Sequence, residues 1–219
     1  MSDNRFFIRW TLFFLLVAAG VGLCYAVVDA PLARWAHQHQ LRRFGIFHGL
    51  QMVSDLLVVL LVPALLVTGW RRYRPRRFTV ADRLVWHAAL AVGAVSLLKY
   101  PLKFAFGRAW PETFYHGNPS LLSDGIYGFF PFHGATAYGS FPSGHAAVAA
   151  AAAAVIWRYA PRYRVGAVGL WVAVAVGLLG AYYHFAGDIL AGTWLGLWVA
   201  ALVVRFDAAG PDQTVARRE

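Results

Sequence analysis

The sequence Pro-Ser-Gly-His at positions 142–145 stands immediately before an alanine-rich apolar segment. Proline and serine are common in the first positions of helices, so this order predicts that a helix begins here. The free backbone N–H groups and the positive dipole end of such a helix bind anions, and the hydroxyl of Ser143 adds a donor. The segment therefore predicts a phosphate site, with His145 beside it to donate a proton to a leaving oxygen.

A second histidine, His184, is followed four positions later by Asp188. A carboxylate one helical turn away, or at the cap of the next helix, can hold an imidazole in the tautomer that attacks as a nucleophile. Taken singly, each feature also has a structural interpretation: the Pro-Ser-Gly segment and Asp188 as helix caps, and His184 as an interfacial anchor. Together they predict a nucleophile, its orienting carboxylate and an acid for phosphate chemistry.

The elements that must position these groups are membrane helices. Hydrophobic residues make up 59% of the sequence and the mean hydropathy is +0.53, which is too apolar for a soluble chain of 219 residues. The apolar residues lie in blocks long enough to cross a hydrocarbon core of about 30 Å. We therefore predict an all-α integral membrane protein in which residues 1–206 form a single domain of six transmembrane helices. The spans are expected at residues 10–28, 50–70, 84–103, 144–160, 166–183 and 188–206.

The placement of the basic residues predicts the topology of these helices. The sequence contains eighteen arginines and two lysines, with a net charge of +10. Five arginines lie within residues 71–77, three lie within 158–164, and others lie at the chain ends. This positive-inside pattern predicts that these segments and both termini are cytoplasmic and that the site faces the other side of the membrane. A nucleic-acid partner is not indicated, because the basic residues do not share one face.

Two connections are predicted to face outward. Residues 29–49 space arginines and histidines among apolar residues, which predicts an amphipathic helix at the membrane interface. Residues 104–143 are rich in glycine and aromatic residues, as expected for a long outer loop folded as a lid over a site. Residues 207–219 are expected to form a short cytoplasmic tail. The single cysteine, Cys24, excludes an intrachain disulfide and a cysteine-based metal site.

These motifs resemble the type 2 phosphatidic acid phosphatase superfamily, whose members are membrane enzymes with a six-helix core that dephosphorylate lipid phosphates without a metal. The resemblance covers residues 84–206. The family signature reads Lys, six residues, Arg-Pro; then Pro-Ser-Gly-His; then Ser-Arg, five residues, His, three residues, Asp. The middle part is complete here. In the first part Lys103 is in register but Trp110 replaces the arginine, and in the third part Gly177 and Leu178 replace Ser-Arg.

The resemblance implies a role for each residue that matches the signature. His184 would form a phosphohistidine intermediate and Asp188 would orient it. His145 would protonate the leaving lipid oxygen. The residues implied to hold the phosphoryl oxygens are Lys103, Ser143 and Gly144. The resemblance implies no metal and no other cofactor.

The two missing arginines call for a substitute cation. Losing two charge-assisted hydrogen bonds of about 1.5 to 3 kcal/mol each would forfeit several powers of ten in rate. Arg108, two residues before Trp110, is the predicted substitute, because an arginine fork suits a phosphate if the loop turns it inward. Without a substitute, the alternative is a catalytically degenerate lipid-binding or transport protein.

Together with the placement of the arginines, the resemblance implies a bacterial inner-membrane lipid phosphatase with its site at the periplasmic face. Its substrate is a phosphomonoester or pyrophosphate on an apolar anchor. Undecaprenyl pyrophosphate, phosphatidic acid, phosphatidylglycerol phosphate and a lipid A phosphate all meet this description, and the sequence favours none of them. A lipid phosphotransferase on the same site is an alternative activity, and the oligomeric state is left open.

Overall fold

The fold is entirely helical. The computed structural model describes residues 3–73, 78–114, 117–134 and 136–208, and these ranges contain eight α-helices and no β-strand. The helices are α1 (Asp3–Leu23), α2 (Asp29–Gln38), α3 (Gly45–Arg72), α4 (Val80–Phe106), α5 (Leu121–Asp124), α6 (Gly144–Tyr159), α7 (Arg164–Gly180) and α8 (Ala186–Ala208). The predicted all-α membrane class is confirmed.

Five helical segments of the described residues are long and apolar enough to cross a membrane. They are Asn4–Gln38, Gly45–Arg72, Val80–Phe106, Pro161–Gly180 and Ala186–Phe206. The predicted span at residues 144–160 corresponds to α6, which at 16 residues is shorter than the roughly 20 residues of a typical crossing. The chain is therefore a multi-pass membrane protein in which α6 differs from the other spans.

α6 lies at the centre of the bundle, packed against α4, α7 and α8. Six of its eight alanines are buried, which leaves little of its surface for lipid. Two glycines of α8 let that helix approach closely: a Cβ at Gly192 would lie 2.2 Å from the backbone oxygen of Ser143, and one at Gly196 would lie 2.2 Å from that of Ala147. Small residues allow membrane helices to pack at this distance. The start of α6 is thereby held against the helix that carries Asp188.

The predicted amphipathic helix over 29–49 is shorter than expected. A π-helical turn, Cys24–Val28, joins α1 directly to α2, and α3 begins at Gly45, five residues before the predicted span. The early start of α3 has a packing reason, because Phe47 fits against α7 where a Cβ at Gly180 would lie 2.2 Å from its ring. α2 also buries Asp29, so one of its faces serves the interior of the protein.

The outer loop between α4 and α6 is folded, as the sequence predicts. It begins at Gly107, whose φ of 57° is left-handed and whose missing Cβ makes room for the backbone oxygen of Phe130. Isolated β-bridges join Arg108 to Phe129 and to Gly139, and the short helix α5 lies within the loop. The arginine-rich residues 74–77 and the tail from 209 onward lie outside the described residues.

Candidate active site

The predicted site residues meet at one cavity of about 260 Å³. Its walls come from α3, α4, α6, the outer loop and the turn between α7 and α8. The predicted residues that line it are Lys103, Gly144, His145 and His184. Three other predicted residues are fully buried and lie outside the lining: Arg108, Ser143 and Asp188.

α6 begins at the Pro-Ser-Gly-His segment, as the sequence predicts. Ser143 is the N-cap, and its Oγ accepts a hydrogen bond from the backbone N–H of Ala146 at 3.3 Å. The backbone N–H of Ser143 donates to the backbone oxygen of Asp188 at 3.0 Å, which ties the start of α6 to the start of α8. Gly144 and His145, the next two residues, therefore form the part of the cavity wall that is closest to the helix dipole.

Two lysines of α4 line the same cavity. A Cβ at Gly144 would lie 2.9 Å from Cδ of Lys99, so glycine at this position lets the Lys99 side chain pass over the first turn of α6. Lys99 is not among the residues predicted for the site. Its position one helical turn before Lys103 is the signal that places it on the same face of the helix. Two ammonium groups and a helix N-terminus therefore make the cavity positive.

His184 lies in the turn between α7 and α8, and its side chain is 1% exposed. Its Nδ1 is 3.4 Å from Oδ2 of Asp188, and its Nε2 is buried with no hydrogen-bond partner among the described residues. Burial lowers the pKa of His184 to about 4, although the hydrogen bond to Asp188 acts in the other direction. The ring is therefore neutral at pH 7, and a proton on Nδ1 leaves the lone pair on Nε2.

This low pKa predicts that acid destabilises the protein through His184. In the unfolded chain a histidine has a pKa of about 6.5, so between pH 6.5 and 4 the unfolded state binds the proton and the folded state does not. We expect a loss of about 1 to 2 kcal/mol of stability from this group as the pH falls from 6.5 to 5. Melting temperatures in detergent at these two pH values measure it. Between these two pH values the melting temperature of His184→Gln should fall less than that of the wild type. An equal fall in both proteins would show that His184 is not the group responsible.

Asp188 is fully buried and has four partners in the described residues. Its Oδ2 accepts hydrogen bonds from Oγ of Ser140 at 2.6 Å and from the backbone N–H of Phe185 at 3.0 Å. The same oxygen faces His184, while Oδ1 accepts from Nη1 of Arg108 at 2.6 Å. Because every direction around the carboxylate is occupied, it can hold the imidazole in one orientation.

Arg108 lies between two buried carboxylates. In addition to the contact with Asp188, its Nη2 donates to Oδ2 of Asp29 at 2.7 Å. Burial alone would lower the pKa of Arg108, but the charges of Asp188 and Asp29 raise it above its ordinary value. The rings of Phe185 and Phe129 lie 4.4 and 4.9 Å from its central guanidinium carbon. The sequence predicts that Arg108 contacts the phosphate. The structure differs, because the Arg108 side chain lies outside the cavity lining and faces carboxylates and aromatic rings.

Sequence reasoning misses two members of this network, Asp29 and Ser140. Oδ1 of Asp29 also accepts from the backbone N–H of Gly187 at 2.9 Å, so its carboxylate joins α2 to the start of α8. An acidic residue at the end of a long apolar segment is a signal for function that the sequence does contain. The π-helical turn before it is a second signal, visible only in the structure. Nothing in the sequence singles out Ser140.

The two positions that lack the expected arginines have different surroundings. Trp110 lines the cavity, where its ring centroid is 5.3 Å from that of His184 and 5.2 Å from Nζ of Lys103. Its Nε1 donates to the backbone oxygen of Thr136 at 3.2 Å, which holds it within the outer loop. Leu178 is fully buried in an apolar cluster between α6, α7 and α8. At position 110 an aromatic ring of the cavity wall therefore takes the place of an arginine, and at position 178 a leucine of the hydrophobic core does so.

A sequence model of the PAP2 superfamily matches residues 84–210, more than half of the chain. The chain belongs to the PAP2 superfamily. This confirms the resemblance drawn from the three motifs. The PAP2 match includes every predicted site residue, but it begins within α4, so Asp29 of α2 and the cavity wall from α3 lie outside it.

Curated relatives of this PAP2 protein include two named lipid A 1-phosphatase. The one from Rhizobium johnstonii is 37% identical over 108 residues, which is 48% of this chain and 41% of that protein, less than two thirds of its length. The one from Rhizobium etli is 28% identical over 205 residues, 89% of this chain and 84% of that protein. With the family match, these relatives support a phosphatase that acts on a lipid in a membrane.

A solved structure shares the fold. It is the crystal structure of a transmembrane PAP2-type phosphatidylglycerolphosphate phosphatase from Bacillus subtilis, with a TM-score of 0.60 and 22% sequence identity. The match covers 92% of this chain and 96% of that one. The likeness therefore extends over the whole bundle, including the helices that precede the PAP2 match.

Proposed function

We propose that the protein is a membrane lipid phosphatase that acts through a phosphohistidine intermediate on His184. The observation that carries this proposal is the state of His184: it lines the cavity, Asp188 holds its Nδ1, and its buried Nε2 has no partner among the described residues. A neutral imidazole held in this tautomer is a nucleophile prepared for attack on phosphorus.

The reaction has two steps. In the first, Nε2 of His184 forms a bond to phosphorus while the bond from phosphorus to the lipid oxygen breaks, and His145 gives a proton to that oxygen. In the second, water attacks the phosphohistidine as His145 takes its proton, the P–N bond breaks and inorganic phosphate leaves. Asp188 orients His184 throughout. Arg108 is a positioning residue in this scheme, because it acts on Asp188 and not on the phosphate.

The negative charge of the phosphoryl group is met by the α4 lysines and the start of α6. Lys99 and Lys103 line the cavity, and the backbone N–H groups at Gly144 and His145 lie at the positive end of the helix dipole. Lys103 is the lysine of the first family motif, so Lys99 is the additional cation in a cavity that lacks the family's arginines at positions 110 and 178. The phosphate contact predicted for Lys103 and Gly144 is kept in the proposal.

Lys103→Met tests this arrangement. We expect it to lower kcat/KM about 10- to 100-fold, since one charge-assisted contact to the phosphoryl group is lost. Steady-state phosphate release in detergent measures the change. Arg83→Met removes a cation from the exposed far end of the same helix and should leave kcat/KM unchanged. Equal activity of Lys103→Met and the wild type would show that the phosphate is held elsewhere.

Lipid A carrying a 1-phosphate is the first proposed substrate, because the two curated relatives bear that name. Phosphate release should be measured with this lipid, phosphatidic acid, phosphatidylglycerol phosphate and undecaprenyl pyrophosphate, with EDTA present because the proposed chemistry uses no metal. Turnover of at least one lipid that is absent in His184→Gln supports the proposal. Tight lipid binding without turnover would instead favour a binding or transport protein. Movement of radiolabel to an added lipid acceptor would identify a phosphotransferase.

We further propose a bacterial inner membrane location, with both termini cytoplasmic and the site at the periplasmic face. The distribution of arginine supports this orientation, since five arginines lie in or beside the connection between α3 and α4, within residues 71–77, and three lie in or beside the one between α6 and α7, within residues 158–164. The cavity is built from the opposite ends of these helices, which is consistent with a site on the other side of the membrane.

A further inference from the structure

Asp55 is a carboxylate inside a membrane helix. It lies on α3, whose most apolar stretch has a mean hydropathy of 2.3. An ionisable side chain is unfavourable in such a span and marks a functional position. Asp55 is the only acidic residue in the lining of the cavity, among the residues that the structure describes. It also lies outside the PAP2 match, so the family motifs give it no role.

The carboxylate of Asp55 contacts the residue proposed as the acid. Its Oδ1 is 3.4 Å from Nε2 of His145, which comes from the first turn of α6. The side chain of Asp55 is 62% exposed and that of His145 is 22% exposed, so the contact lies at the open side of the cavity. The other rings against His145 are those of Tyr183 and His184, with centroids 5.3 and 6.0 Å away, and neither carries a negative charge.

The other charged side chains that line the cavity around His145 are positive. A general acid must keep its proton until the leaving oxygen takes it. His145 lies in the first turn of α6, at the positive end of the helix dipole, and Lys99 and Lys103 add positive charge from α4. Ser54 of α3 and Trp110 of the outer loop, which also line the cavity, are uncharged. Asp55 is thus the acidic residue of the cavity lining that can balance these positive charges beside His145.

We propose that Asp55 is a positioning residue for His145: its carboxylate accepts the Nε2–H, retains the imidazolium and directs Nδ1–H to the leaving oxygen. This inference rests on the proposed role of His145 as the acid. The proton moves from Nδ1 to the leaving oxygen as the P–O bond breaks, and the neutral ring then takes a proton from water in the second step. The two histidines therefore use opposite nitrogens, because Asp188 holds Nδ1 of His184 and Asp55 holds Nε2 of His145.

Phosphate monoesters that share a decyl chain but differ in the leaving oxygen test this role. Decyl phosphate releases an alcohol, which needs a proton, whereas a decyl-substituted nitrophenyl phosphate releases a phenolate, which does not. Asp55→Asn should lower kcat on decyl phosphate about 10- to 100-fold, with a change in KM below about 3-fold. On the nitrophenyl ester the change in kcat should stay below about 3-fold. Asp55→Glu should recover most of the loss on decyl phosphate.

A double-mutant comparison shows whether Asp55 acts through His145. His145→Gln should have the same dependence on the leaving group, and adding Asp55→Asn to it should cause no further loss. Asp82→Asn removes a carboxylate that pairs with Arg71 at the far end of α4 and should leave the ratio of the two rates unchanged. An equal loss of kcat on both esters, a change confined to KM, or no loss on decyl phosphate would overturn the proposal.

The same measurements separate this inference from the proposed function. If His184→Gln still turns over decyl phosphate, the phosphohistidine mechanism itself fails, whatever Asp55→Asn does. If His145→Gln slows both esters equally, the assignment of His145 as the acid fails, and with it the role proposed for Asp55. If both histidine variants behave as proposed and Asp55→Asn has no effect, the inference about Asp55 alone is overturned.

Discussion

Replacing His184 with glutamine is expected to lower kcat by about 10⁴-fold or more on every lipid that the protein accepts. Glutamine keeps a polar side chain in the same buried place, but its amide nitrogen has no free lone pair with which to form a bond to phosphorus. Two measurements check this result. One is phosphate release in detergent, and the other is transfer of ³²P from substrate to the protein, quenched in alkali because a phosphohistidine is lost in acid.

The matched control for this variant is His133→Gln. His133 lies exposed on the outer loop, where its Nδ1 is 2.8 Å from the backbone oxygen of Pro131, and it does not line the cavity. It should keep both turnover and labelling at the wild-type level. If His184→Gln still carried the label and His145→Gln did not, the roles proposed for the two histidines would have to be exchanged.

Replacing Arg108 with methionine is expected to destabilise the protein by about 3 to 5 kcal/mol. Methionine fills much of the same volume, but it leaves the carboxylates of Asp29 and Asp188 buried without a cation. Turnover should fall as well, because Asp188 loses the cation that fixes its Oδ1 and then holds His184 less firmly. The melting temperature in detergent and kcat at a temperature where the variant is folded measure the two effects.

Combining substitutions shows whether the unpaired buried carboxylates cause the loss of stability in Arg108→Met. Asp29→Asn alone leaves Arg108 paired with Asp188, so its cost should be about 1 to 3 kcal/mol. The double variant Arg108→Met with Asp29→Asn buries one fewer unpaired carboxylate and should be more stable than Arg108→Met. If Arg108 bound phosphate instead, its loss would raise KM and leave the melting temperature nearly unchanged. That outcome would restore the contact predicted from the sequence.

Features that depend on neighbours along the chain are predictable from the sequence. The start of α6 at 142–145 follows from local capping, and Ser143 forms the predicted cap. His184 and Asp188 are four residues apart, so their contact across one turn needs no knowledge of distant segments. The apolar blocks predict the membrane helices for the same reason, because each block meets the hydrocarbon as a unit.

The helix boundaries were less predictable where packing between helices decides them. α3 begins five residues early because Phe47 finds space against the glycines of α7, and hydropathy contains no information about such a fit. α2 continues α1 through a π-helical turn, although the composition of 29–49 predicts a separate interfacial helix. Both differences arise from contacts between segments that are far apart in the sequence.

By itself, the sequence of this protein determined the membrane class, the motif register and the pairing of His184 with Asp188, because these rest on composition and on spacing within a turn. The tertiary structure decided which groups the Arg108 side chain contacts, since its partner Asp29 lies 79 positions away in the sequence. It also brought Asp55 of α3 against His145 of α6. A guanidinium or a carboxylate in an apolar bundle must meet an opposite charge or another polar partner, and only the packing of the helices determines which partner is within reach.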